Sequence, residues 1–195
     1  MNPQFIKSAV RPADYPADAG VEIAVVGRSN SGKSSALNRL AGVKKLARVS
    51  KTPGRTQLIN FFELKPQQRL VDLPGYGFAR VPQATRIEWR SMVGAYFEQR
   101  ASLRGLIVTI DVRRGFKDPD LQVFDWAGEL GIPVLGLLSK ADKLSRASGM
   151  RQRQLLQREA PAHVALVLFS ALSGVGLDEA RATLLQWLEV GASNE

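Results

Sequence analysis

Residues 27 to 34 read Gly-Arg-Ser-Asn-Ser-Gly-Lys-Ser, the spacing G-x-x-x-x-G-K-[ST]. The chemistry open to such a run is capture of a phosphate chain. Gly27 and Gly32 let the backbone wrap tightly, so that the N–H groups of Arg28, Ser29, Asn30 and Ser31 point inward at an anion. Lys33 can reach the β- and γ-phosphates of a nucleotide, and the Ser34 hydroxyl can ligate Mg²⁺. Ser35 continues into a helix whose positive dipole end adds to the attraction. An apolar run, Val21-Glu22-Ile23-Ala24-Val25-Val26, leads into the loop, and a helix-compatible stretch leaves it. Strand, glycine loop and helix are the setting this motif requires.

Two further segments suit the same ligand. Asp72-Leu73-Pro74-Gly75 ends a strand pattern about forty residues beyond Lys33. Asp72 can hold Mg²⁺ through a water, and the Gly75 N–H can sense a γ-phosphate. Between them, 50–58 is rich in turn and polar residues and reads as a mobile loop, with Gly54, Arg55, Thr56, Gln57 and Leu58 at its end. A threonine there can complete the Mg²⁺ shell only when the γ-phosphate is present. Thr52 and Thr56 both qualify, and Thr56, just before a strand, is preferred.

The base is read elsewhere. Ser139-Lys140-Ala141-Asp142 follows another strand pattern, close to the [NT]-K-x-D expected for guanine. A carboxylate accepts from the guanine ring N–H and its exocyclic amine, a donor pair that adenine lacks. An unpaired carboxylate is costly, so discrimination can reach roughly 10⁴-fold. Lys140 would lie along the base, and Ser139 keeps a hydroxyl where Asn or Thr is usual. Phe169-Ser170-Ala171 ends the last strand, where an N–H from Ala171 or its neighbour can meet the guanine carbonyl.

These motifs need a scaffold that gathers them. Strand-like runs at 21–26, 58–64, 69–73, 105–111, 133–139 and 164–169 alternate with helical patterns at 33–41, 84–100, 119–130, 146–159 and 177–189. Short continuous apolar runs suit parallel strands buried on both faces. The expected fold is α/β: one P-loop domain over 21–190, a six-stranded mostly parallel sheet with one antiparallel strand, and helices on both faces. The runs at 58–64 and 69–73 are too close for a crossover helix and should form a hairpin. Residues 1–20 read as an extended lead-in, and 191–195 as a tail. Trp89, Trp126 and Trp187 sit in helical stripes and read as core. His163, the lone histidine, reads as structural.

The chain has 195 residues, no cysteine and a formal net charge of +9. Disulfides and thiolate metal sites are therefore excluded. No apolar run is long enough to span a bilayer, and the first residues lack a signal-peptide core. A cytoplasmic protein without a membrane partner is expected. The basic balance points to a polyanionic partner, nucleic acid first. Lys44, Lys45, Arg48, Lys51 and Arg55 cluster along the mobile loop and are expected near an RNA-facing surface.

Taken together, Gly27–Ser35, Pro-Gly-Arg-Thr-Gln (53–57), Asn60-Phe61-Phe62, Asp-Leu-Pro-Gly-Tyr-Gly (72–77), Lys-Ala-Asp-Lys-Leu (140–144) and Phe169-Ser170-Ala171 resemble the EngB/YihA/YsxC family of small bacterial GTPases, over about 5–190. The resemblance implies GTP and GDP binding with Mg²⁺, a role in assembly of the large ribosomal subunit, and a need for normal division and septation. A monomer is expected. Ras-like GTPases place a water-orienting glutamine just after D-x-x-G; here that residue is Tyr76, which implies slow intrinsic hydrolysis. In related GTPases an asparagine at the position of Asn30 helps bind K⁺, whose charge would stabilise the transition state. The expected catalytic set is Lys33, Asn30, Thr56 and Gly75. The competing readings are a P-loop ATPase and a nucleic-acid-binding module with a structural nucleotide.

Overall fold

The computed structural model describes residues 3–44, 46, 58–77 and 83–190. Seven strands form one sheet: β1 (Gln4–Ala9), β2 (Val21–Gly27), β3 (Ile59–Lys65), β4 (Gln68–Asp72), β5 (Leu103–Asp111), β6 (Val134–Ser139) and β7 (Val164–Leu168). Their order across the sheet is β1-β3-β4-β2-β5-β6-β7. β3 runs antiparallel to β1 and β4, and the remaining pairings are parallel. Every residue of β2 and β6 is buried, as expected where helices cover both faces of a sheet.

Five helices supply that cover: α1 (Lys33–Ala41), α2 (Gln83–Gln99), α3 (Asp118–Glu129), α4 (Arg146–Glu159) and α5 (Leu177–Val190). Leu37 and Leu40 of α1 meet Leu184 and Leu188 of α5 on one face. Val93 and Tyr96 of α2, Phe124 of α3 and Leu156 of α4 fill the other. Leu37 is wholly buried in the cluster that joins α1 to the sheet and α5; truncating it to alanine should cost about 2–5 kcal/mol. α1 stops at Gly42, whose φ of 77° is the left-handed conformation glycine adopts freely. Arg181 of α5 then donates to the carbonyls of Leu40 and Arg39, at 3.1 and 2.8 Å.

The sheet has seven strands rather than the six expected. The lead-in contains β1, paired with β3, and a 3-10 turn at Pro12–Asp14. Between Phe5 and Lys7 the register slips, and Ile6 is an extra residue opposite no partner. Beyond β1 the lead-in is fastened to the end of the sheet away from the motif loops. There Glu22, fully buried, accepts from Arg69 Nη1 at 2.8 Å, Arg100 Nη2 at 2.6 Å, Arg100 Nε at 2.8 Å and Tyr96 Oη at 2.9 Å. The same guanidinium groups reach the carbonyls of Pro16, Ala17 and Ala19. Asp18 accepts the N–H groups of Ala101 and Ser102, each at 2.9 Å.

Candidate functional site

The described motif segments all emerge at the carboxyl ends of strands, the edge where open α/β sheets take their ligands. β2 delivers 27–35, β4 delivers Asp72, β6 delivers Ser139, and β7 leads to Phe169–Ala171. Gly54, Arg55, Thr56 and Gln57, expected near the γ-phosphate, lie outside the described residues, and Leu58 directly precedes β3.

The phosphate loop is tightly built. A Cβ on Gly27 would fall 2.1 Å from Thr109 Oγ1, so only glycine fits. Ser31 Oγ lies 2.6 Å from the same Thr109 hydroxyl, which fixes the loop to β5. Gly32 has a φ of 93° and Asn30 a φ of 62°, the latter in a conformation asparagine tolerates better than most residues. Two of the N–H groups expected to face an anion are instead taken by the protein: those of Ser29 and Ser31 bond to the carbonyls of Tyr76 and Arg28, at 2.8 and 2.9 Å, which closes the loop on itself and on the segment after β4. Those of Gly32, Lys33 and Ser34, at the start of α1, have no bonded acceptor among the described residues. Such first-turn donors have no partner within the helix and are suited to anionic oxygens. Lys33 Nζ is ion-paired with Asp72 Oδ1, which brings the phosphate-side lysine and the strand-end carboxylate together.

The segment after β4 is laced to this loop. Leu73 N–H donates to the Val25 carbonyl at 3.0 Å, and Tyr76 N–H to the Gly27 carbonyl at 3.2 Å. A Cβ on Gly75 would come within 3.2 Å of the Gly27 carbonyl oxygen. Trp89 of α2 donates its indole N–H to Pro74 O at 2.8 Å. Tyr76, in the place of the water-orienting glutamine, is buried, and its hydroxyl donates to Asp120 Oδ1 at 2.7 Å. The Arg28 guanidinium lies 3.0 Å from the other oxygen of Asp120 and donates to the Gly115 carbonyl. Burial, and then the neighbouring carboxylate, hold the Tyr76 phenol well above its usual range. A side chain so enclosed cannot orient water at the phosphates.

The base-side loop is joined to the phosphate loop at two points. Ser139 Oγ donates to the Ser31 carbonyl and also reaches Ile110 O at 3.0 Å. Lys140 Nζ donates to Asn30 O at 2.5 Å and to Asp111 Oδ2 at 2.9 Å. Asp111 also pairs with Arg113 at 2.7 Å, and these hydrogen bonds hold its carboxyl well below the usual range. Ala141 N–H bonds to Phe169 O at 3.1 Å, which sets the loops after β6 and β7 side by side. Ser170, wholly buried, donates its hydroxyl to Asp142 Oδ1 at 2.6 Å and accepts the N–H groups of Leu172 and Ser173. That bond, followed by Lys143 at 3.3 Å, lowers the Asp142 carboxyl and keeps it ionised.

A cavity of about 730 Å³ opens over these loops, lined by Gly32, Ser35, Ser139, Lys140, Asp142, Phe169 and Ala171. Asn38, Arg39, Leu172 and Arg181 extend its wall. The sequence reading missed those four, as well as Thr109, Asp111 and Asp120. Asp111 had one available signal, its position as the last residue of a strand on the ligand edge.

The donor set fits Mg²⁺ bound with a nucleotide. Among the described residues no three Asp, Glu, His or Cys side chains cluster as a metal cage. Mg²⁺ favours one or two protein oxygens with waters and substrate phosphates, and Ser34 and Asp72 are of that kind. Among the described residues no helix is long and apolar enough to cross a membrane.

Comparison with known proteins agrees with this geometry. Residues 22–140 match the family model described as 50S ribosome-binding GTPase. The chain is 50% identical to the probable GTP-binding protein EngB of Pseudoalteromonas atlantica, covering 98% of this chain and 95% of that one. It is 52% identical to the protein of the same name from Photobacterium profundum, covering 95% and 81%. A crystal structure of a probable GTP-binding protein engB superposes with a TM-score of 0.69 at 24% identity, covering 87% of this chain and 99% of that one. Era, solved with MgGDPNP and a segment of 16S ribosomal RNA, gives 0.62 at 24% identity, covering 87% of this chain and 57% of Era. A full-length likeness at half identity, on a P-loop GTPase domain, places this chain in the EngB family of GTP-binding proteins, and it is a GTPase.

Proposed function

We propose that the chain is a guanine-nucleotide switch that acts in assembly of the large ribosomal subunit, in the cytoplasm and as a monomer, and that normal division and septation depend on it. The observation that carries the nucleotide half is the Asp142 carboxylate, set by Ser170 beside the cavity and tied to the phosphate loop through Lys140 and Ser139. In this reading Asp142 receives the two guanine donors, the Lys140 stem covers the base, and the Ala171 N–H meets the base carbonyl. Residues 27–35 wrap the phosphates, and Lys33 exchanges Asp72 for the β- and γ-oxygens. Ser34 and Thr56 would ligate Mg²⁺ and Asp72 would hold one of its waters; the ion supplies charge neutralisation at the transferring phosphate. Gly75 and Thr56 would sense the γ-phosphate and order their loops, which hydrolysis then releases.

The ribosomal half rests on the family model's description and on the net charge of +9. Sedimenting cell extract with a non-hydrolysable GTP analogue and then with GDP tests it: the protein should travel with large subunits in the first case only. Equal distribution in both would sink the switch. Displacement of bound GDP by ATP at comparable concentration would instead restore the ATPase reading.

Intrinsic turnover should be slow, because Tyr76 is enclosed. K⁺ held by the Asn30 amide would add positive charge beside the phosphates. Asn30→Gly removes that amide while tolerating the positive φ. Turnover in KCl should exceed turnover in NaCl for the parent and not for the variant; equal rates in both salts for the parent would remove K⁺.

A further inference from the structure

We propose that the exposed face of α4 is a docking surface for the phosphodiester backbone of structured RNA; this rests on the ribosomal reading above and names the face it would use. Residues 143–158 contain Lys143, Arg146, Arg151, Arg153 and Arg158 and no aspartate or glutamate, a net +5 within a chain of +9. α3, which covers the same face of the sheet, carries the opposite sign: Asp118, Asp120, Asp125 and Glu129, with no cation.

A helix that is merely solvated mixes its charges and is supported by Glu–Arg pairs three or four residues apart. α4 has none. Arg153 lies 3.6 Å from Glu179 of α5, and Lys143 pairs with Asp142. Arg146, Arg151 and Arg158 are exposed and make no ion pair among the described residues. Arg146 is also the first residue of the helix, where the macrodipole favours an acidic side chain. Arg158, in the last turn, is favourably placed by the same dipole, so the unfavourable charge that a polyanion would relieve lies at Arg146 and along the unpaired stripe.

The geometry suits a phosphate backbone. Arg151 and Arg158 share one outward stripe, two turns or about 10 Å apart. All the charges of the helix proper, apart from Glu159, are arginines, whose forked donors match phosphate oxygens. The 113–117 loop packs on the inward side of the helix, a Cβ on Gly115 falling 3.3 Å from buried Leu156, and it carries the exposed Arg114. An anionic membrane fits less well. The exposed Met150 and Leu155 are separated by about 140° around the helix, so they form no continuous apolar stripe. Position adds a consequence. α4 begins at its cap Ser145, three residues after Asp142, so RNA held there would bear on the base-reading loop.

The test is the salt dependence of binding to a fluorescein-labelled RNA duplex, measured by anisotropy. The variants are R146Q/R151Q/R158Q and a charge-matched control, R11Q/K65Q/R104Q, away from α4. GDP affinity, read with a fluorescent analogue, verifies the fold of each; should the triple lose GDP, R151E/R158E on the outer stripe repeats the experiment. The α4 triple should bind at least roughly tenfold more weakly, with the log–log salt slope flattened by about 2 to 3, against little change in the control. Equal weakening of both variants, or of neither, overturns the proposal. Parent binding to phosphatidylglycerol vesicles but not to RNA also overturns it, in favour of a membrane. If the α4 triple still travels with large subunits under a GTP analogue as the parent does, α4 is not the docking face although the ribosomal reading survives. If the parent itself binds neither RNA nor subunits, both fall.

Discussion

Glu22 and Asp142 are carboxylates near opposite ends of the same sheet, and their surroundings differ in how much hydrogen-bonding capacity is left over. Glu22 is closed: two arginines and a tyrosine fill both oxygens, and none of its surface is open to solvent. Asp142 is held by one buried hydroxyl and an exposed lysine, and its remaining lone pairs face a cavity. A closed carboxylate gives stability and fixes the chain around it. A carboxylate oriented but unsaturated is poised to select a ligand. The two ends of the sheet therefore divide holding from reading.

Substitution at each end separates these roles. The largest effect should come from Asp142→Asn, which reverses the acceptor that guanine needs. Affinity for GDP should fall on the order of 10³–10⁴-fold and xanthosine diphosphate should recover part of it, with melting temperature nearly unchanged. Titration with both nucleotides checks this; an unaltered guanine preference would break the assignment. Glu22→Gln should do the reverse. Removing the charge leaves Arg69 buried without its counter-ion and Arg100 with only Asp18, 3.6 Å away, at about 3–5 kcal/mol. Urea unfolding should report that loss, while the folded protein binds GDP as before. A cost below about 1 kcal/mol would mean the network is no more than a surface pair.

Ser170→Ala sharpens the comparison, since Asp142 keeps its charge and loses its orienting donor. A hydrogen bond to a charged group is worth about 1.5–3 kcal/mol, so GDP affinity should drop some tenfold to a hundredfold. Tyr76→Phe is the smallest and the most discriminating. Tyr76 lies beside the phosphate loop yet is bonded as the closed end is, so its loss should cost about 1–2 kcal/mol of stability through Asp120. Single-turnover hydrolysis should stay within about twofold of the parent. A large fall in turnover with intact stability would place the phenol in the chemistry.

Much of this arrangement was legible beforehand because it obeys local rules. The buried central strands are continuous apolar runs, and the motifs sit where strand patterns end. β1 was not legible. Gln-Phe-Ile-Lys-Ser-Ala has no clean alternation, and it is a strand because β3 offers it a partner, a tertiary effect that overrides weak propensity. The Glu22 network was equally hidden. A glutamate beside valine in sequence reads as the edge of a strand, and its arginines come from β4 and from beyond α2. Ser170 looked uninformative in Phe-Ser-Ala; its meaning is its distance to Asp142, which no local pattern encodes. Thr56 was expected from the turn-rich and polar composition of 50–58, and it lies outside the described residues.

The slipped register of β1 bears on how this molecule behaves in a crowded cell. A straight outer strand offers a row of free amides and carbonyls on which another chain can grow a ribbon. Here the extra residue at Ile6 bends that row, and Lys7 follows it immediately. A stray strand meeting this rim would find neither a matching repeat nor an uncharged seat. Deleting Ile6 and replacing Lys7 with valine would be a short route from a dispersed protein to a fibrous one.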